Sequence, residues 1–261
     1  MRYRWTRLIL WVYTLAILTY LLLPSFYIIG ISLDSSGLGL ISTTPTLKWY
    51  ARLFNNQFLL DAGKLSLTVG LATMASTVVI GLVTARAYRY LRRKSLFIIF
   101  MVLPIFVPGI VIGFDLIVYF KFLRISGGWL AIWLAHMLWV LPFIFIYLLT
   151  TLSSLDPNLI DAARDLGAKE WQAFRYVELP LISNGVVGAS VLSFTLSLNE
   201  FIRTFFVQGI NMTLTTYIFG FIRTGTEPTI FAMSGLITLL SLMMLALAAL
   251  LAFTGKRKMS I

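Results

Sequence analysis

Cysteine is missing altogether, histidine occurs once, and only ten acidic residues stand against twenty-one lysines and arginines in 261 residues. The first absence excludes disulfides, a thiolate nucleophile and thiolate metal ligands. The second leaves His136 without the neighbours that a His-Glu-x-x-His metal site or a Ser–His nucleophile pair needs, so it reads as a hydrogen-bonded packing residue. No Gly-x-x-x-x-Gly-Lys-Ser/Thr occurs either. Gly255-Lys256-Arg257 lacks the flanking residues of a phosphate-cradling loop, and the chain cannot hydrolyse ATP by itself. Charge of any sign is scarce, at 12% against 59% hydrophobic residues, where soluble domains run to about a quarter charged.

What is present is hydrocarbon-loving sequence in long runs. Uncharged or nearly uncharged stretches at 8–31, 65–85, 96–120, 129–151, 182–206 and 230–253 approach or exceed the roughly 20 residues that cross a bilayer as helix. The expectation is an all-α integral membrane protein with six transmembrane helices in one domain, 1–261. The first run reads as a retained span, because Pro24-Ser25-Phe26 makes a poor cleavage site. Between the first two runs a mixed segment with Gly37, Gly39, Pro45 and Trp49 reads as an external loop carrying an interfacial helix around Leu47–Phe58. The third run holds Pro104, Pro108, Gly109, Gly113 and Asp115, and is expected inside the bundle. The fifth is cleanly apolar only to Leu198, and a polar stretch from Gln208 to Thr229 with an apolar, re-entrant-looking piece at Tyr217–Ile222 precedes the sixth.

The basic residues fall in short clusters beside the apolar runs. Arg2, Arg4 and Arg7, then Arg86 to Lys94, then Arg164, Lys169 and Arg175, then Lys256 to Lys258, hold fourteen of the twenty-one. The positive-inside rule puts all four clusters, and therefore both termini, in the cytoplasm. The net charge of +11 is thus a membrane signature and not a nucleic-acid one.

One cytoplasmic segment, 155–180, has a helical pattern of its own. Asp156-Pro157 is a helix start, with a carboxylate to accept orphan N–H groups and proline at the first helical position. Leu155, Leu159, Ala162, Ala163 and Leu166 then recur on one face, and Gly167 can take the left-handed conformation that ends the helix. A second short helix should carry Trp171, Phe174 and Val177 on one side, with Pro180 closing the segment. The result is a helix-turn-helix with an exposed apolar side, suited to helix-in-groove docking. Packing against its own bundle is the structural alternative.

The spacing Asp161-Ala162-Ala163, three residues, Gly167, nine residues, Val177, Glu178, Leu179-Pro180 resembles the Glu-Ala-Ala, Gly, Ile-x-Leu-Pro motif of binding-protein-dependent ABC importer permeases. Asp for Glu and Val for Ile are the departures. Leu196-Ser197-Leu198-Asn199-Glu200-Phe201 and Leu214 to Gly220 resemble the polyamine-type (spermidine/putrescine) members, and the resemblance covers the whole chain. It implies a type I importer permease fold, in a bacterial inner membrane, whose 155–180 loop couples to a partner ATPase. Asp161, Ala162, Ala163, Gly167, Trp171, Phe174, Leu179 and Pro180 would form the coupling site. It also implies two ATPase subunits that hold ATP and Mg²⁺, a second, homologous but non-identical permease, an external solute-binding protein, and no cofactor or metal on this chain. The solute would be a polyamine, or failing that an opine, an amino-acid derivative or a ferric species.

Asp115 and Glu200 are the ionisable groups in the translocation path by this reading, with Trp133, Phe114 or Tyr119 offering aromatic faces to a cation. Bland roles compete: Glu200 and Arg203 are three apart on one helix face, and Asp115 pairs in principle with His136 or a neighbouring subunit. An ion-coupled secondary transporter would also use intramembrane carboxylates but needs no coupling loop. A membrane-embedded hydrolase finds too few catalytic residues here.

Overall fold

Helices form wherever the apolar runs are long enough to satisfy their own backbone. The computed structural model describes residues 2–36, 44–224 and 228–258, and among them there is no strand. In order the helices are α1 (Arg2–Ser32), α2 (Lys48–Phe54), α3 (Gln57–Ala87), α4 (Lys94–Phe106), α5 (Gly109–Phe122), α6 (Trp129–Ser153), α7 (Pro157–Asp165), α8 (Glu170–Ala173), α9 (Leu179–Leu198), α10 (Ile202–Val207), α11 (Leu214–Thr224) and α12 (Thr229–Lys258). Gly37, Gly39 and residues 225–227 of the two polar stretches lie outside the described residues.

Four helices are long and apolar enough to cross a membrane: Thr6–Ser32, Gln57–Tyr88, Trp129–Ser153 and Glu170–Leu198. The third predicted run is not one straight helix. α4 and α5 meet at 98°, because Val107 and Pro108 are extended and proline cannot donate into the preceding turn. Pro24, Pro104 and Pro142 sit inside helices without ending them. The fifth run is also shorter than expected: α9 stops at Leu198, and Asn199-Glu200-Phe201 breaks the chain before the short α10. The interfacial helix is α2, shorter than the predicted segment at both ends.

The chain divides into two compact units. In the unit made of 1–60 and 218–243, Ser32 Oγ and the Tyr50 hydroxyl lie 2.7 Å apart, and Trp49 Nε1 donates to the Asp34 carbonyl at 2.6 Å. Gly235 belongs here because a Cβ would fall 2.8 Å from Ser32. Along α1 the apolar side chains from Leu8 to Phe26 are mostly exposed, a surface suited to hydrocarbon and not to water.

In the unit made of 61–217 and 244–261 two apolar clusters stack along α6. One joins Val78 and Ala85 of α3 to Ile144, Phe145 and Leu148 of α6 and Ile182 and Ala189 of α9. The other joins Val69 of α3, Ile112, Leu116 and Phe120 of α5, Ile132 and Ala135 of α6, and Val207 of α10. Close approach needs small residues at the crossings: a Cβ on Gly113 of α5 would lie 2.5 Å from the Phe206 ring of α10, and one on Gly127 would lie 2.8 Å from the backbone of Gly209.

Candidate coupling loop and translocation path

The loop begins as its local chemistry dictates. Asp156 caps α7 by accepting from Asn158 N at 3.0 Å, Pro157 is the first helical residue, and Gly167 ends the turn at φ +87°. On α7 the apolar face stays open, with Leu159 46% and Leu166 90% exposed. Asp161 and Ala162 are exposed too, and Ala163 is half-buried. Arg164 braces the hairpin by pairing with Asp161 at 2.9 Å and with Glu170 of α8 at 2.7 Å. Its contact with the Tyr90 hydroxyl, then that with Glu170, hold the guanidinium protonated still more firmly than an ordinary arginine.

The second helix of the loop does not stop. From Glu170 the chain runs helically to Leu198 through one π-turn, Phe174–Glu178, so Pro180 lies in the first turn of α9 and closes nothing. This corrects the expected separate helix, and the physical reason is that the π-turn just before Pro180 shifts the hydrogen-bond ladder where proline lacks its N–H. Trp171 is 63% exposed, and its ring lies 5.5 Å from that of Phe174, which is half-buried under the Arg86 guanidinium at 4.2 Å. Leu179 packs on the core while Pro180 faces outward.

Sequence reasoning missed the anchor at the base of the loop. Glu178, 1% exposed, is met by Arg86 Nε at 2.8 Å, from the last turn of α3, and by Arg89 Nη1 at 2.9 Å, from the single 3₁₀ turn Tyr88–Tyr90 that follows it, and Arg89 also donates to the Leu152 carbonyl at 3.0 Å. The available signal was an acidic residue facing an apolar helix, together with two arginines three apart in the basic cluster. Nothing in the sequence joined them.

Deeper in the bundle the carboxylates part company. Glu200 is buried, caps α10 through Arg203 N at 2.9 Å and pairs with Arg203 Nη1 at 2.9 Å. The Arg203 guanidinium lies 3.9 Å over Trp139, an aromatic partner the sequence did not single out. His136 is hydrogen-bonded to Ser197 and Thr204, each at 2.7 Å, and so ties α6 to α9 and α10 instead of pairing with Asp115. Trp133 donates to Ser76 at 3.3 Å and stacks on Trp129. Asp115 is exposed in a groove of about 420 Å³ at the α4–α5 bend, lined by Pro104, Val107, Leu116, Tyr119 and Leu138. Among the described residues no ion pair holds its carboxylate. Phe114 is exposed on the same helix. Neither Trp133 nor Glu200 is among the residues lining the groove at Asp115.

The family model described as binding-protein-dependent transport system inner membrane component matches residues 77–254, from α3 through the coupling loop to α12. The chain belongs to that family. It is the permease subunit of an ABC importer and a multi-pass inner-membrane protein, which sets aside the ion-coupled transporter and the hydrolase. The spermidine/putrescine transport system permease protein PotC of Escherichia coli K12 is 34% identical over 240 residues, 91% of each chain. The putrescine transport system permease protein PotI of the same strain is 29% identical over 230 residues, 84% of this chain and 82% of that one. Among solved structures, a bacterial ABC transporter involved in the import of the acidic polysaccharide alginate superposes with a TM-score of 0.69 at 13% identity, covering 98% of this chain and 96% of the other. That likeness concerns the fold alone.

Proposed function

We propose that this permease forms half of the path for a polyamine of the spermidine or putrescine class and takes up the work of ATP hydrolysis through its 155–180 loop. The observation that carries the solute class is the similarity to PotC and PotI over most of the chain, since both names specify polyamine transport. The exposed carboxylate of Asp115 favours the same reading. A charge facing hydrocarbon costs about 2.5–3.5 kcal/mol or more, so the α4–α5 face turns toward a water-filled path or a partner subunit. A cation passing there meets one carboxylate and the Tyr119 ring in an otherwise apolar groove.

The exposed Leu159, Leu166 and Trp171 form the docking face for an ATPase groove, with Ala162 and Ala163 permitting close approach. Six spans, counting the bent α4–α5 pair as one and α12 as the last, bring both termini to the cytoplasm with the basic clusters. The assembly holds two ATPases that bind ATP and Mg²⁺, a second, non-identical permease, and an external binding protein that selects the solute.

The test is co-purification in mild detergent followed by ATPase assays with binding protein loaded with spermidine, putrescine or an unrelated solute. Co-purification of an ATPase and a second permease, with hydrolysis stimulated by the polyamine-loaded protein, supports the proposal. Stimulation only by another solute sinks the polyamine assignment.

A further inference from the structure

Most charged groups near the cytoplasmic face are exposed and paired loosely, but Glu178 is not. Its carboxylate is buried at the last position of the π-turn that joins the coupling loop to α9. A buried carboxylate needs compensation, and one arginine would supply the charge. Here two do, one on each oxygen, at 2.8 and 2.9 Å. Each arginine is engaged a second time. Arg86 stacks over Phe174 of the π-turn, and Arg89 holds the carbonyl of Leu152 near the end of α6.

One carboxylate thus fastens three elements at the place where the loop leaves the bundle: the end of α3, the end of α6 and the start of the helix Glu170–Leu198. Apolar contacts at the same point, such as Leu179 against the core, permit sliding. The charge-assisted hydrogen bond from Arg86 Nε to one oxygen fixes direction as well as distance, and the ion pair of Arg89 with the other oxygen holds the opposite side by charge. The outer link from Arg164 to Tyr90 is long, at 3.4 Å, and solvated, so it resists little.

We infer that Glu178, clamped between Arg86 and Arg89, is a positioning residue that carries displacement of the coupling loop into α3 and α6. The inference rests on the proposed docking role of that loop. When the loop is pushed, the clamp makes the helix ends follow as one body; without it the loop moves and the spans lag.

The experiment uses the complete transporter in proteoliposomes, measuring solute uptake and ATP hydrolysis in the same vesicles at saturating loaded binding protein. In Glu178→Gln, uptake per ATP falls at least tenfold while the half-saturating concentration of binding protein stays within twofold; Arg86→Lys and Arg89→Lys, which keep the charge, hold the ratio within threefold of wild type. An unchanged ratio in assembled Glu178→Gln overturns the inference. If that variant does not assemble, Arg86→Gln and Arg89→Gln, each retaining one ion pair, take its place: a threefold or greater fall supports the clamp, and wild-type ratios in both overturn it. Gly167→Arg separates the two readings. Loss of ATPase docking in Gly167→Arg with normal coupling in Glu178→Gln refutes the clamp alone, whereas normal docking in Gly167→Arg with uncoupled Glu178→Gln refutes the docking face and leaves the clamp standing.

Discussion

Gly167 combines a backbone requirement with an outward position, and a series of substitutions there separates turn geometry from docking. Its φ of +87° is one that side chains resist, and nothing lies within 4 Å of where a Cβ would point. Gly167→Ala therefore carries only the left-handed backbone penalty of about 1–2 kcal/mol, a factor of roughly 5–30 in the population of the correct turn. Gly167→Asn carries less, since asparagine enters this region more readily. Gly167→Arg carries the same backbone term as alanine and its Cβ meets nothing within 4 Å, so a loss well beyond that of alanine is assigned to a surface that docks at this turn. The expected order of ATPase retained on purification is Gly, Asn, Ala, then Arg, with Arg at least tenfold below Ala and membrane insertion equal throughout. Quantifying the co-purified ATPase by stained gel and uptake in vesicles reads both effects. Equal behaviour of Ala and Arg would refute docking at this turn, because backbone strain would then explain everything.

Glu200→Gln leaves Arg203 buried without its counter-ion, so it should lower thermal stability in detergent by the equivalent of about 3–5 kcal/mol; an unchanged melting temperature would mean the pair is hydrated in the assembly. Gly127→Ala forces the backbone of Gly209 to move and should destabilise by about 1–3 kcal/mol, read by the same melt. Asp115→Asn should reduce polyamine uptake about tenfold, corresponding to about 1.4 kcal/mol, while leaving assembly intact; normal uptake would make Asp115 a subunit contact.

How far the sequence could be read depended on the range of each interaction. Asp156, Pro157 and Gly167 act on backbone within two or three residues, and the helix they delimit is the one observed. Glu200 and Arg203, one helical turn apart, were legible as a pair for the same reason. The break at Val107–Pro108 was not: Pro104 and Pro142 lie in intact helices, so a proline in an apolar run does not by itself mark where the run breaks, and only at Pro108 is the backbone extended, with α5 beyond it packed on α10 through Gly113 and Phe206. The clamp on Glu178 joins residues 92 positions apart, beyond any local pattern. His136 was legible as a packing residue, but its partners Ser197 and Thr204 became apparent only when α9 and α10 met α6.

Uptake of labelled spermidine by vesicles holding the assembled transporter bears on the whole proposal, with ATP supplied on the cytoplasmic side or withheld under an imposed proton or sodium gradient. Accumulation that requires ATP and polyamine-loaded binding protein, and that is lost in Gly167→Arg, is the expected result. Accumulation driven by the gradient without ATP, or undiminished in Gly167→Arg, would contradict it.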